Sequence, residues 1–167
     1  MNYPQFNAED LFTKLQNQIC NSFLKKTNVN LVGIYSGGVW IAERLASSLG
    51  LKHIGSVDVS FYRDDFSSRG LPSKVRPTNI PFNVNSSTIL LVDDVLYTGR
   101  TTRAAINTLF DYGRPSKIIL ATLVDRGDRE LPISPDFCAA NVELNKNESL
   151  ILKKDNNDNF ELLIENA

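Results

Sequence analysis

The run Ile89-Leu90-Leu91-Val92-Asp93-Asp94-Val95-Leu96-Tyr97-Thr98-Gly99-Arg100-Thr101-Thr102 constrains the fold of this chain more than any other stretch. It passes from four apolar residues to two acids, then to a short turn carrying hydroxyls and a glycine, then to a helix-compatible segment. An apolar run without alternation is a strand covered on both faces, the signature of a parallel sheet enclosed by helices. In open α/β sheets ligands bind beyond the carboxyl ends of the strands, and that is where Asp93 and Asp94 fall.

The same order of strand and helix recurs along the chain. Apolar runs predict strands over 29–34, 54–61, 88–92 and 117–124, and helical spacing predicts helices over 39–49 and 100–112. The second of these is stopped by Gly113 with Pro115 close behind. Ahead of them Leu11, Phe12, Leu15, Ile19 and Phe23 repeat at helical spacing behind an Asn7 cap, predicting an amphipathic helix. Connections long enough to cross over favour a parallel arrangement over a meander. The class is α/β, with a central, mainly parallel sheet flanked by helices. Near the end, 150–154 and 160–164 flank the turn-forming run 155–159 and predict a terminal β-hairpin. Between Arg63 and Asn85 periodicity fails among serines, prolines and a glycine, so about 63–85 reads as a lid. With 167 residues, 42% hydrophobic and 22% charged, the whole span 1–167 is expected to form one domain.

A net charge of −1 leaves no global cationic excess, so any nucleic-acid contact must come from a local patch. The first ten residues lack a basic stretch leading into an apolar run, and nothing approaches the ~18 apolar residues of a membrane span. The expectation is a cytoplasmic protein without a membrane role. Cys20 and Cys138 are too few and too far apart for a metal cluster and are expected to be reduced packing residues. His53, the sole histidine, opens a predicted strand and is expected to be partly buried; Trp40 is expected to pack on the first crossover helix.

The chemistry concentrates at the end of the third strand. A hydroxyl- and glycine-bearing loop before a helix presents backbone N–H groups and the positive helix end to a phosphate, which makes 97–101 a monophosphate cradle. Two adjacent carboxylates would repel that phosphate, yet they accept hydrogen bonds from sugar hydroxyls or bind a hydrated Mg²⁺. An Asp-Asp pair can also be a turn and helix cap and nothing more. The whole run, however, spells a ribose 5-phosphate site. Tyr35-Ser36-Gly37-Gly38 likewise leads from strand to helix and could meet a second phosphate or serve as a simple turn.

These residues together resemble the phosphoribosyl-diphosphate motif of type I phosphoribosyltransferases. In the form Val95-Leu96-Tyr97-Thr98-Gly99-Arg100-Thr101 the motif is similar to that of the PyrR family of pyrimidine operon regulators and uracil phosphoribosyltransferases. Further matches run through Asp58-Val59-Ser60-Phe61-Tyr62-Arg63-Asp64-Asp65, Gly113-Arg114-Pro115-Ser116 and residues 124–133. The resemblance implies the type I phosphoribosyltransferase fold, with a small hood or lid. It implies that Asp93 and Asp94 hold the ribose hydroxyls, that Val95, Leu96, Tyr97, Thr98, Gly99, Arg100 and Thr101 wrap the 5-phosphate, and that Ser36 and Gly37 face the diphosphate. Arg76, Arg126 and Leu150 fall at substrate-contacting positions, and Arg63, Asp64 and Arg69 could close the lid.

The implied reaction joins uracil to phosphoribosyl diphosphate with Mg²⁺, releasing UMP and diphosphate, in a homo-oligomer. The alternatives are a nucleotide-sensing RNA-binding regulator and a phosphoribosyltransferase for another base. Three departures stand out. Ser36-Gly37-Gly38 replaces an expected Thr-Arg-Gly, removing a cation from the diphosphate loop; Asp128 replaces a histidine; Glu9 and Asp10 replace basic residues. The last two move charge against RNA.

Overall fold

The computed structural model describes residues 7–23, 28–60 and 76–166. Five strands, β1 (Val29–Ile34), β2 (Gly55–Val57), β3 (Thr88–Leu96), β4 (Lys117–Asp125) and β5 (Phe137–Asn141), form one parallel sheet in the order β2-β1-β3-β4-β5. The chain leaves β1 for β2 on one side and later returns to β3 on the other. The order therefore reverses between β1 and β3, and the carboxyl ends of these strands bound a crevice there.

Successive side chains of a strand point to opposite faces, and the sequence fills both. Leu31 and Leu90 enter a core shared with α1 (Ala8–Phe23) and α2 (Gly37–Leu49), while Val32 and Leu91 enter a second core. The second core is closed by Ala104, Ala105 and Leu109 of α3 (Arg100–Asp111). Helices on both faces explain why these strands carry no polar alternation.

Glycines let α2 come close to the sheet. A Cβ on Gly33 would lie 2.5 Å from Val39 Cα, and one on Gly38 would lie 2.3 Å from the Val92 carbonyl oxygen. The amino end of α2 thus sits directly on the ends of β1 and β3. At its far end Gly50 adopts φ 68 and its N–H closes the last turn, the usual left-handed cap.

At the amino end of α1 the Asn7 side chain accepts the N–H groups of Glu9 (3.0 Å) and Asp10 (3.3 Å), as a cap should. Its Lys14 Nζ and Gln18 Nε2 donate to the carbonyls of Ala139 (2.6 Å) and Cys138 (3.1 Å), covering the edge strand β5. The hairpin of β6 (Glu148–Lys154) and β7 (Phe160–Asn166) is antiparallel, and Asp155 Oδ1 accepts the N–H groups of Asn157 and Asn159 in its turn.

Several expectations are corrected. β5 was not foreseen in the sequence. β2 spans three residues, not 54–61, because only Gly55–Val57 pairs with β1, and Phe61 lies outside the described residues. β3 and β4 extend to Leu96 and Asp125, held by the register Asp93↔Thr122 and Leu96↔Asp125. α2 begins at Gly37 and α3 ends at Asp111. Of the predicted lid, Arg63, Asp64 and Arg69 lie outside the described residues. Residues 76–85, by contrast, are docked on the fold: Asn79 bridges Ser56, Val84 is buried, and Ile80 and Phe82 pack on the second core. His53 is exposed, contrary to expectation, whereas Trp40 is half-buried against the first core.

Candidate functional site

Asp93 and Asp94 occupy the carboxyl-terminal half of β3. Asp93 is buried and its Oδ1 accepts the Asp94 N–H (3.0 Å). From β4 the Thr122 hydroxyl reaches the Asp94 carbonyl at 3.2 Å, tying the acidic pair to the neighbouring strand. Asp94 faces the β1–α2 loop so closely that a Cβ on Gly37 would lie 2.6 Å from its Cγ and Oδ2. Gly37 and Gly38 are not at positive φ, so contact with β3 and its side chains is what requires glycine here.

The β1–α2 loop contains a cis Tyr35–Ser36 peptide bond, and Ser36 is the residue before α2. Arg76 crosses from the segment after residue 75, donates Nη1 to Ser36 Oγ (2.8 Å) and lies 4.9 Å from the Tyr35 ring centre. Its own N–H binds Asp58 Oδ2 at 2.6 Å. Burial raises the affinity of the Asp58 carboxyl for its proton, but the amides of Arg76 and Ser60 outweigh it and hold the group below the ordinary aspartate range.

Beyond β3 the loop from Tyr97 to Gly99 turns into α3. Gly99 has φ 93, a left-handed conformation that favours glycine, and serves as the helix cap without any side-chain bond. Thr98 is buried, and its hydroxyl accepts the Arg100 N–H at 3.3 Å. Thr102 is fully buried with its hydroxyl oxygen unmatched in the first turn of α3. Arg100 is paired with Glu130 through Nε (2.8 Å) and Nη2 (2.6 Å), both side chains about half exposed. Arg126 is buried, stacks 3.9 Å from the Tyr97 ring centre and donates Nη2 to the Asn145 carbonyl, while its Nε has no partner.

Ser36, Gly37, Arg76, Asp93, Asp94, Val95 to Thr101 and Arg126 thus lie along the carboxyl ends of β1, β3 and β4 and the loops that leave them. Leu150 is placed differently, buried in the first core on β6. Asp128 is exposed at φ 50, and the carboxylate that pairs Arg129 is Asp125 at 2.5 Å. Thr122 and Asn145 carried no signal in the sequence as site residues, whereas Arg126 and Arg129 flank Gly127 beyond β4, either at the ligand-binding edge or as a surface ion pair, and the structure pairs Arg129 with Asp125. Burial raises the pKa of the Cys138 thiol, in keeping with a packing role. Among the described residues no three His, Cys, Asp or Glu side chains gather as a metal cage, and no helix is long and apolar enough to cross a membrane.

The family model for the phosphoribosyl transferase domain matches residues 3–149. A bifunctional protein PyrR from Ralstonia nicotianae is 48% identical over 157 residues, 93% of this chain and 90% of that protein. Another, from Nitrosococcus oceani, is 44% identical over 161 residues, 91% of this chain and 90% of the relative. Among solved structures, a purine phosphoribosyltransferase from Pyrococcus horikoshii superposes with TM-score 0.63 at 23% identity, covering 84% of this chain and 86% of that one. A hypoxanthine-guanine phosphoribosyltransferase from Bacillus anthracis gives 0.64 at 16% identity, with 84% of each chain covered. At such identities the two structures speak for the fold and not for the base.

Proposed function

This chain belongs to the phosphoribosyl transferase domain family and, within it, to the bifunctional PyrR proteins, and we propose that it transfers the phosphoribosyl group of phosphoribosyl diphosphate to uracil, forming UMP and diphosphate, alongside a role in regulating pyrimidine synthesis. The observation that carries this reading is the adjacency of three features at the switch point of the sheet. The acidic pair ends β3, the Tyr97–Thr101 loop opens α3, and the amino end of α2 abuts Asp94. Two helix starts, one for the 5-phosphate and one for the diphosphate, with carboxylates between them for a sugar, suit the substrate in kind and in order.

In this reading Asp93 and Asp94 accept hydrogen bonds from the ribose hydroxyls. The amides and hydroxyls of Tyr97, Thr98, Gly99, Arg100 and Thr101, with Val95 and Leu96 leading into them, hold the 5-phosphate. Ser36, Gly37 and the Arg76 guanidinium on Ser36 face the diphosphate. Arg126, stacked on Tyr97, borders the same edge, and Leu150 acts from beneath as packing. The bond from C1′ to the diphosphate oxygen breaks, the bond from C1′ to N1 of uracil forms, and the N1 proton is released. As C1′ becomes oxocarbenium-like, the protein contributes fixed positions and N–H dipoles aimed at the departing charge.

Mg²⁺ suits a site with two strand-end carboxylates that, among the described residues, belong to no larger cluster of His, Cys, Asp or Glu, because it keeps several waters and takes other oxygens from substrate phosphates. Substrate and water would mainly hold it, with Asp93 and Asp94 acting through its water shell, and when bound it would neutralise diphosphate charge. The reading further expects a soluble cytoplasmic homo-oligomer with weak RNA binding. It is tested by diphosphate release with phosphoribosyl diphosphate, Mg²⁺ and a panel of bases. Uracil should be the preferred acceptor, and turnover confined to purines would overturn the choice of base.

A further inference from the structure

The segment Arg126 to Ile133, between β4 and β5, lies along the back of the Leu96–Gly99 loop and takes up its carbonyls one after another. The Leu96 carbonyl accepts the Arg126 N–H (2.8 Å), and the Thr98 carbonyl accepts the N–H groups of Glu130 (3.0 Å) and Leu131 (3.1 Å). The Tyr97 carbonyl accepts Arg129 Nη1 at 2.6 Å. The Gly99 carbonyl accepts the Arg103 N–H as the first bond of α3 (2.9 Å). In a trans peptide the carbonyl and the N–H point in opposite directions. Each fixed carbonyl therefore sets the direction of the N–H that follows it, Tyr97's setting that of Thr98, and backbone N–H groups oriented in this way are what an anion-binding nest is made of; the Arg100 N–H also donates to the Thr98 hydroxyl.

Among these bonds, the one to Tyr97 alone comes from a side chain, and that guanidinium is held by three further bonds. The Arg129 guanidinium also donates to the carbonyls of Ile133 (2.8 Å) and Gly127 (3.1 Å) and pairs with Asp125, and both members of the pair are largely buried. Arg129 is thereby anchored at both ends of its own loop before it reaches Tyr97. On the other side of the same residue, the Arg126 guanidinium covers the Tyr97 ring.

We infer that Arg129 is a positioning residue for the 5-phosphate: it fixes the Tyr97 carbonyl and so holds the N–H groups of the phosphate loop in their anion-binding orientation, without touching substrate. The inference rests on the Tyr97–Thr101 loop being the 5-phosphate cradle, as proposed above. It separates Arg129 from the cations that could meet a phosphate directly. It also assigns the β4–β5 connection a place in substrate binding.

The test compares the wild-type protein with Arg129→Ala and Arg129→Lys in steady-state kinetics, calorimetric titration and thermal melting. Losing one charge-assisted hydrogen bond to the loop should weaken binding of ribose 5-phosphate, and raise KM for phosphoribosyl diphosphate, by about 10- to 100-fold in Arg129→Ala. KM for the base and the affinity for inorganic diphosphate, which meets the α2 loop, should stay within about twofold, and kcat should change less than KM. Arg129→Lys keeps the charge but lacks the fork, so it should fall between Ala and wild type. It also serves as the informative variant if Ala does not fold. Equal losses for ribose 5-phosphate and diphosphate would mark Arg129 as merely structural and overturn the inference. So would wild-type binding of ribose 5-phosphate in either folded variant. A wild-type protein that fails to bind ribose 5-phosphate, by contrast, would remove the cradle assignment itself.

Discussion

Two adjacent glycines should respond to the same substitution in opposite ways. At Gly37 the three atoms nearest an added Cβ all belong to the Asp94 side chain, its Cγ and Oδ2 at 2.6 Å and its Cβ at 2.8 Å. At Gly38 the added atom would meet main chain, the Val92 carbonyl oxygen at 2.3 Å and Asp93 Cα at 3.0 Å. The Asp94 carboxylate can turn aside, although its Cβ must give way with the end of β3, whereas a carbonyl in the middle of a parallel sheet has no such freedom. Gly37→Ala should therefore keep the protein folded and lower Tm less than Gly38→Ala does. It should, however, displace the Asp94 carboxylate. If that carboxylate makes one charge-assisted hydrogen bond to ribose, worth ~1.5–3 kcal/mol, kcat/KM for phosphoribosyl diphosphate should fall about 10- to 150-fold.

Gly38→Ala should do the reverse. Overpacking of this kind costs about 1–3 kcal/mol, which for a chain of this size lowers Tm by roughly 2–12 °C. The assays are a melting curve and initial rates of diphosphate release on the two variants side by side. Wild-type kinetics in Gly37→Ala would refute the role given to Asp94, and an unchanged Tm in Gly38→Ala would refute the packing argument. The same contact bears on restoring the cation that the family resemblance implies at this position. A Gly37→Arg side chain would start from a Cβ already in collision with Asp94.

Asp93→Asn and Asp94→Asn should each lower kcat/KM for phosphoribosyl diphosphate about 10- to 150-fold per lost contact without unfolding the protein; unchanged kinetics in both would remove the ribose assignment. Glu9 is bonded to both arms of Arg44 at 2.7 Å and accepts the Phe160 N–H, while Arg44 lies 4.1 and 4.3 Å from the rings of Phe12 and Phe160. The Arg44 bond, with Phe160's, holds the Glu9 carboxyl below its ordinary range, against desolvation. Its stabilisation is thus complete above the unfolded pKa of about 4.3 and lost as pH falls through the lower folded value. The Tm gap between wild type and Glu9→Gln should accordingly shrink in acid, and a gap that persists at pH 2 would contradict it. In filter binding at physiological salt, a pyrimidine-operon leader RNA should bind little better than a scrambled control, with or without UMP. Nanomolar, leader-selective binding would place the regulator reading first.

The strands of the sheet were legible where hydrophobicity alone decides, because β1, β3 and β4 are buried on both faces and carry unbroken apolar runs. β5 was not, since Phe137-Cys138-Ala139-Ala140-Asn141 is short and only its central alanine is buried. What makes it a strand is its ladder to β4 and the donors of α1 on its carbonyls, both distant in sequence. The packing of residues 76–85 was hidden for a related reason. Their prolines and asparagines look like free loop, yet Ile80, Phe82 and Val84 are spaced to dock on the second core. The candidate site was legible to the extent that it is contiguous, namely Asp93 to Thr101. Thr122 and Asn145 join it across 28 and 19 residues of chain with no local pattern to announce the contact, and the charge beside Gly127 does not tell that Arg129 reaches the Tyr97 carbonyl 32 residues away.

Net charge illustrates the same limit from the side of electrostatics. A total of −1 excludes a broad cationic surface but does not say which arginines are already neutralised. In the folded chain Arg44 is paired with Glu9, Arg100 with Glu130 and Arg129 with Asp125. These pairs are not equivalent. Arg100 and Glu130 are more than half exposed, and an exposed pair contributes ~0–1 kcal/mol, so a phosphate arriving at the start of α3 can draw Arg100 away at little cost. Arg129 is only 22% exposed, and leaving Asp125 would also abandon three carbonyl acceptors in a region where unsatisfied groups are expensive. Arg100 is therefore available to a ligand while Arg129 is part of the framework, a distinction set by burial and bonding partners and invisible to any count of charges.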